Sequence, residues 1–480
     1  MRKSEREPAP ALPIKLDSTT NGEYWPRPAT PALAAARERA WSAVDEHARA
    51  LRWTRREYLT SACGAATVLL ALNQMGCGGG SYRVPKEAPR EPAAAEAALS
   101  GNELVIDVQT HQVSAVRPWW DVSGPSLADF LTTTPQARCG APHWARCFTD
   151  DVLIREVFLE SDTQVAVLSA LWGDPHPMLA SEAARTREKV AELGRGRLLI
   201  HGIVQPNERP WPEIEAYMQS LVADFGISAW KLYTVWGPKG QGYRLDDELG
   251  MKTIQTGIDL GQTLFAVHKG LPLPGMNRAY TSPLDVGPAA RAFPQATFLV
   301  YHSGWEADHV EGPYDAKAER GVDALVRSLQ ESGVGKDGNV YAELGSTWRE
   351  LMKAPDQAAH VLGKLLLHLG EDRILWGTDA IWFGSPQDQI QAFRAFEISA
   401  EFQERFGYPA LTPERKAKIF GSNAARVYGV NVAELRRRHA SDTVARLREE
   451  YRNDPNPSFR THGPRTRREM LGLLRSPHGH

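Results

Sequence analysis

Between residue 103 and about residue 430 the chain repeats one pattern eight times. A short apolar run of strand length is followed by a longer segment with helical spacing. The apolar runs cover 103–111, 165–171, 198–206, 228–234, 264–270, 296–304, 340–346 and 374–380. Most are near-continuously apolar, as strands buried on both faces of a parallel sheet must be. Helical periodicity fills the gaps, for example over 182–193, 213–225, 322–331 and 355–369. Pro355 opens the last of these and Gly370 stops it. Eight strand-then-helix units predict an α/β fold of the (β/α)8 barrel type, whose largest insertion is 112–164, between the first two strands. A doubly wound open sheet is the competing arrangement, but no Gly-rich phosphate turn follows the first strand.

A barrel of this kind carries its active site at the carboxyl ends of the strands. The sequence places ionisable residues there six times: Asp107-Val108-Gln109-Thr110-His111, Lys231, His268-Lys269, His302-Ser303-Gly304, Glu343 and Gly377-Thr378-Asp379. Any one of them reads equally well as a packed or capping residue. Three histidines and an aspartate converging on one mouth are another matter, because buried charge is costly unless paired or metal-bound.

These motifs, in this order and at these strand ends, resemble the amidohydrolase superfamily and its amidohydrolase-related branch. The resemblance includes Ile106-Asp107-x-x-Thr110-His111, His268, His302-Ser303-Gly304, Gly377-Thr378-Asp379 and the closing Ile419-Phe420-Gly421-Ser422-Asn423-Ala424-Ala425-Arg426-Val427-Tyr428-Gly429. It implies one divalent ion, zinc first and manganese or iron as alternatives, held by His111, His268 and Asp379. It also implies hydrolysis of a small organic amide, ester or lactone by an activated water. Asp379 would act as base, His302 would stay off the metal and stabilise the oxyanion, and Lys231 would position the substrate. The family pattern at strand 1 is His-x-His, and here Gln109 takes the first position. A neutral amide oxygen is a weaker ligand that suits harder ions. Gln109 is expected either to ligate or to hydrogen-bond a bound water. Lys231, which bridges two metals in some relatives, is expected to pair with Glu343 or with an anionic substrate. Non-oxidative decarboxylation of an unsaturated or aromatic acid is the rival chemistry, and a barrel that binds without catalysis is the non-enzymatic one. Trp236, Trp305 and Trp382 follow strands 4, 6 and 8 and either line the mouth or pack helices on the barrel.

The flanks read differently. Residues 1–53 are rich in Pro, Ala and charge and are expected to lack a fold, with a helix over 32–51 allowed. Residues 54–77 pair Arg55-Arg56 with Tyr58-Leu59 and a weakly apolar run, resembling a twin-arginine export signal. Transient contact with the export translocon and a periplasmic location follow from that reading. The run is shorter than the ~20 residues of a spanning helix. Cys77 is a weaker candidate for lipid attachment, and 78–102 reads as a linker. Cys139 and Cys147 are expected to be free or paired with each other in an oxidising compartment. Residues 431–480 form an Arg-rich tail whose last twenty residues are expected to be unstructured. Ser385-Pro386 is expected to start a helix, the alternative being that Gln387 or Asp388 sits over the site. With 56 basic and 58 acidic residues there is no global charge to recruit nucleic acid. The expected partner is a small-molecule substrate, and a homodimer is allowed.

Overall fold

The computed structural model describes residues 11–75, 81–120, 131, 141–173, 175–272, 276–455 and 464–474. Eight parallel strands follow one another around a single sheet: β1 Ile106–Thr110, β2 Val165–Leu168, β3 Leu198–Val204, β4 Ala229–Leu232, β5 Leu264–His268, β6 Thr297–Tyr301, β7 Val340–Glu343 and β8 Ile374–Leu375. Hydrogen bonds from Val108 N–H to Trp376 O (3.1 Å), Asp379 N–H to Gln109 O (2.9 Å) and His111 N–H to Ala380 O (2.6 Å) join the last strand to the first. Asp107 reinforces this seam by accepting the Thr378 N–H (3.0 Å) and the Thr378 hydroxyl. The (β/α)8 barrel is therefore present, with each strand where the apolar runs lie.

The pleat decides which strand residues reach the mouth. Successive side chains point to opposite faces. Trp230 and Leu232, Phe265 and Val267, Phe298 and Val300, and Val340 and Ala342 pack into the large cluster shared with the outer helices. Their neighbours Ala229, Ala266, Leu299, Tyr301 and Tyr341 form a separate cluster. Lys231, His268 and Glu343 stand in register with this second set, at the carboxyl ends of their strands. Alternation alone therefore turns them into the barrel.

The ends of the chain depart from expectation. Residues 11–53 do not lack a fold: α1 spans Pro31–Leu51, with Thr30 as its cap, and residues 11–29 lie across the barrel mouth, mostly buried, while residues 1–10 lie outside the described residues. Lys15 pairs with Asp388 (3.0 Å), Asp17 with Arg349 (3.1 Å), and the Tyr24 hydroxyl donates to Glu350 (3.1 Å). Short polar residues give little local signal of order. What orders them is long-range pairing with groups that sequence proximity does not reveal.

Arg55 and Arg56 open α2 (Arg55–Leu59), which Thr54 and Glu57 cap reciprocally. The apolar run is α3 (Ala62–Leu72), nearly all buried against α1, α4 (Pro92–Leu99) and the helix Gln387–Ala395. The presumed linker thus contains α4, and its Tyr82 is clamped by Asn73 (2.7 and 2.8 Å). Cys77 and Cys139 lie outside the described residues; Cys147 is disulfide-bonded and Cys63 is free and buried. Among the described residues no helix is long and apolar enough to cross a membrane.

The tail carries helices Val432–His439, Thr443–Asn453 and Arg467–Leu474, the last within the segment expected to be unstructured. Thr20 donates its N–H to Pro464 O (3.0 Å), so the tail closes over the N-terminal strap.

Candidate functional site

Three histidines meet at the mouth, and each has one ring nitrogen tied to a backbone carbonyl. His111 Nδ1 donates to Ser169 O (2.8 Å), His268 Nε2 to Leu271 O (2.8 Å) and His302 Nδ1 to Gly345 O (2.7 Å). A carbonyl only accepts, so each of these nitrogens carries the proton and the opposite nitrogen is left with its lone pair or a second proton. Burial holds the His302 imidazole down to about 4 and His268 well below its ordinary range, so both are neutral near pH 7. The free nitrogens then face each other. His268 Nδ1 and His302 Nε2 are 3.2 Å apart, lone pair towards lone pair. His111 Nε2 faces Asp379 Oδ1 at 3.0 Å, where a proton or a cation must lie between ring and carboxylate. Stacking of His268 on Tyr233 and of His111 on Trp382 fixes the ring planes.

The backbone around these groups is strained. His302, Ser303, Ser346 and Asp379 all have φ between 55° and 65°. Left-handed geometry in residues with a Cβ costs about 1–3 kcal/mol each, and it concentrates where side chains must be aimed. Glu343 contributes to the aim. Its two oxygens accept the N–H groups of His302 (3.1 Å) and Gly345 (2.6 Å). Burial nonetheless pushes its carboxyl up to about 8. Gly377 is required here because a Cβ would lie 1.7 Å from Glu343 Oε1, and at Gly345 a Cβ would lie 2.2 Å from Gln109 Oε1.

Asp379 is the polar hub. Its Oδ2 accepts from Ser346 Oγ (2.5 Å) and from Asn21 Nδ2 (2.7 Å). Burial pushes its carboxyl up, but the hydrogen bonds and positive charge it meets, from His111 first, outweigh this and hold it low. Gln109 is fully buried; its Oε1 has no hydrogen-bond partner, and its Nε2 lies 3.4 Å from His111 Nε2. Lys231 is also fully buried, and its Nζ makes no hydrogen bond. It rests 3.6 Å above the Tyr301 ring and 4.5 Å from the Tyr233 ring centre. Burial pulls its ammonium down to about 7. The expected pair with Glu343 is not formed, because Glu343 is committed to backbone donors.

Other expectations are redistributed. His302, expected to stay off a metal, places its Nε2 3.2 Å from His268 Nδ1. Trp382 covers His111, whereas Trp236 pairs with Trp172 (4.3 Å) away from it, and Trp305 meets Tyr24 of the strap edge-on. Gln387 begins its helix and Asp388 binds Lys15, so neither overhangs the site.

The sequence reading misses two residues altogether. Glu23 places Oε1 3.6 Å from His268 Nδ1 and Oε2 3.6 Å from His302 Nε2. Asn21 links Glu23 Oε2 (2.8 Å) to Asp379. Glu23, His268 and His302 form a buried group able to hold a cation. Nothing in Asn21-Gly22-Glu23 distinguishes it locally from a surface turn. Glu23 also borders a cavity of about 890 Å³ lined by Tyr24, Arg27, Arg278, Asp308 and Arg467 among others.

The chain is similar to several solved structures, at low identity. An uncharacterised TIM-barrel protein from Bordetella bronchiseptica is 15% identical, covering 68% of this chain and 98% of that one, with a TM-score of 0.44. A 2,6-dihydroxybenzoate decarboxylase from Rhizobium is 15% identical over 69% of this chain and 99% of that one, with a TM-score of 0.40. A putative 2-pyrone-4,6-dicarboxylic acid hydrolase from Pseudomonas putida is 15% identical over 69% and 100%, with a TM-score of 0.37. No curated protein matches the chain. Residues 154–430 match the amidohydrolase family Amidohydro_2, and the chain belongs to that family.

Proposed function

We propose that the protein is a metal-dependent hydrolase acting on a small amide, ester or lactone. The observation that carries this reading is the pair of neutral imidazoles, His268 and His302, whose ring protons are spent on backbone carbonyls while their lone pairs converge. Two acceptors at 3.2 Å repel unless a cation lies between them, and the outward hydrogen bonds are those that orient metal-ligating histidines. The orphaned Gln109 Oε1 and the His111–Asp379 contact add oxygen and nitrogen donors to the same mouth. Nitrogen and carboxylate donors suit zinc, with manganese or iron as alternatives. When bound, such an ion polarises a carbonyl and lowers the pKa of water to about 7.

The residues then divide the work. Asp379, ionised and held by Ser346 and Asn21, accepts the proton of the attacking water through Oδ1. Glu343 and Thr347 fix the His302 backbone, the latter by donating to His302 O (3.0 Å). Lys231, with unsatisfied N–H donors, holds an anionic group of the substrate or the developing oxyanion.

The bare ammonium of Lys231 also favours a second reading, decarboxylation of an unsaturated or aromatic acid whose carboxylate it would hold. One experiment tests both. Protein purified without chelator is analysed for metals and assayed on a panel of lactones, esters and amides, with carbon dioxide release measured on candidate acids. Hydrolysis with stoichiometric metal supports the first reading, and carbon dioxide release moves the assignment to the second. Absence of metal together with no turnover after added zinc or manganese leaves only a binding barrel.

Lys231→Met should raise KM for an anionic substrate at least tenfold while leaving metal content unchanged. It should also raise the thermal midpoint, because a buried ammonium without a hydrogen-bonded partner is removed. Loss of metal in this variant would reassign Lys231 to the metal centre.

A further inference from the structure

Residues 11–29 form a strap that runs across the mouth rather than around the barrel. It is held first by Lys15 with Asp388, then by Asp17 with Arg349 and by Tyr24 with Glu350, adjacent residues of the helix Thr347–Leu351. Between these anchors the chain dips inward, and Asn21 and Glu23 are the side chains it delivers. Building on the metal reading above, we propose that the strap is part of the metal centre, with Glu23 as the acidic ligand beside His268 and His302.

The distances carry the argument. A tetrahedral ion bound at about 2.0–2.1 Å spaces its ligand atoms roughly 3.3–3.4 Å apart. The two nitrogens are 3.2 Å apart, Glu23 sets Oε1 3.6 Å from His268 Nδ1 and Oε2 3.6 Å from His302 Nε2, and one ligand atom from each residue lies within 4.8 Å of the others. Glu23 is 8% exposed, and among the described residues its ion-pair contacts are the two histidines. Asn21 satisfies one side of this buried carboxylate, and a divalent cation between its oxygens and the two histidine nitrogens would satisfy all three groups. Asn21 fixes the aim, since its Nδ2 donates to Glu23 Oε2 and its Oδ1 accepts the Glu23 N–H (3.1 Å).

The charge balance points the same way. β1 offers the neutral Gln109 where a charged or imidazole ligand would be expected, which leaves the mouth one anion short of that pattern. Glu23 supplies that anion from outside the barrel. One consequence concerns the N-terminus: cleavage after α3 would carry Glu23 away, so the metal-loaded protein keeps residues 11–29.

The test uses the full-length protein stripped of metal and titrated with Zn²⁺ against a chromophoric chelator, and separately with Co²⁺ while its visible spectrum is recorded. Wild type is expected to bind, Glu23→Gln at least tenfold more weakly and with an altered Co²⁺ spectrum. Glu23→Asp, which keeps the charge but shortens the reach, should fall between them; it carries the test if Glu23→Gln does not fold. Wild-type affinity and spectrum in Glu23→Gln, or in Glu23→Asp when that variant carries the test, overturn the proposal and leave the metal reading standing. No binding of either ion by wild type overturns the metal reading itself.

Discussion

Replacing Asp379 by Asn is expected to lower kcat by about 10²–10⁴-fold on whichever substrate the panel identifies, the range typical of a lost general base. The carboxylate is 1% exposed, stands 3.0 Å from His111 Nε2 and is oriented through its other oxygen by Ser346 and Asn21. An amide keeps the shape but cannot take the proton. Because the carboxyl is held below its ordinary range, it is ionised through the neutral region. The wild-type rate should therefore lose no activity to Asp379 protonation until the pH falls below the usual carboxylate range. Steady-state kinetics with metal content measured on the same samples separate a lost base from a lost ion. A variant that keeps its metal and stays within tenfold of wild type removes Asp379 from the role of base.

The second large effect is on stability. Lys364, on the helix Pro355–His368, is fully buried with Nζ 2.5 Å from Glu311 Oε2 and 2.6 Å from Asp323 Oδ1. Glu311 lies in the loop that leaves β6 beyond His302, and it also accepts the Val322 N–H (2.9 Å). One ammonium thus ties that loop to two helices. Lys364→Met strands two buried carboxylates without a cation, and breaking such a cluster from one side costs about 3–5 kcal/mol. The guanidinium chloride midpoint should fall accordingly, and adding Glu311→Gln should recover part of the loss. A Lys364→Met protein within about 1 kcal/mol of wild type would mean that the loop repacks around the vacancy.

The relation between sequence and structure differs sharply between the barrel and its mouth. Strand positions were legible because a parallel strand covered on both faces must be apolar throughout, and eight such runs close in only a few ways. His111, His268, His302 and Asp379 were legible as residues of the barrel mouth because they end those strands. Their division of labour was not. That His302 sits against His268, and that Glu343 turns to backbone N–H groups and leaves Lys231 bare, depends on left-handed turns at His302 and Asp379. Composition and periodicity do not encode such turns.

Least legible was the strap. Residues 11–29 carry no periodicity, because they form neither helix nor strand, and Lys15, Asn21 and Tyr24 are held by partners more than 300 positions away. The same holds for the segment around Arg55-Arg56, whose apolar run looks like an export signal in isolation yet is packed among helices in the folded chain. By itself the sequence determined the barrel, its eight strand ends and most of the groups that meet there, because local burial patterns are written locally. Only the tertiary structure decided that a distant N-terminal carboxylate joins them, because pairing between remote polar residues leaves no trace until the chain has folded.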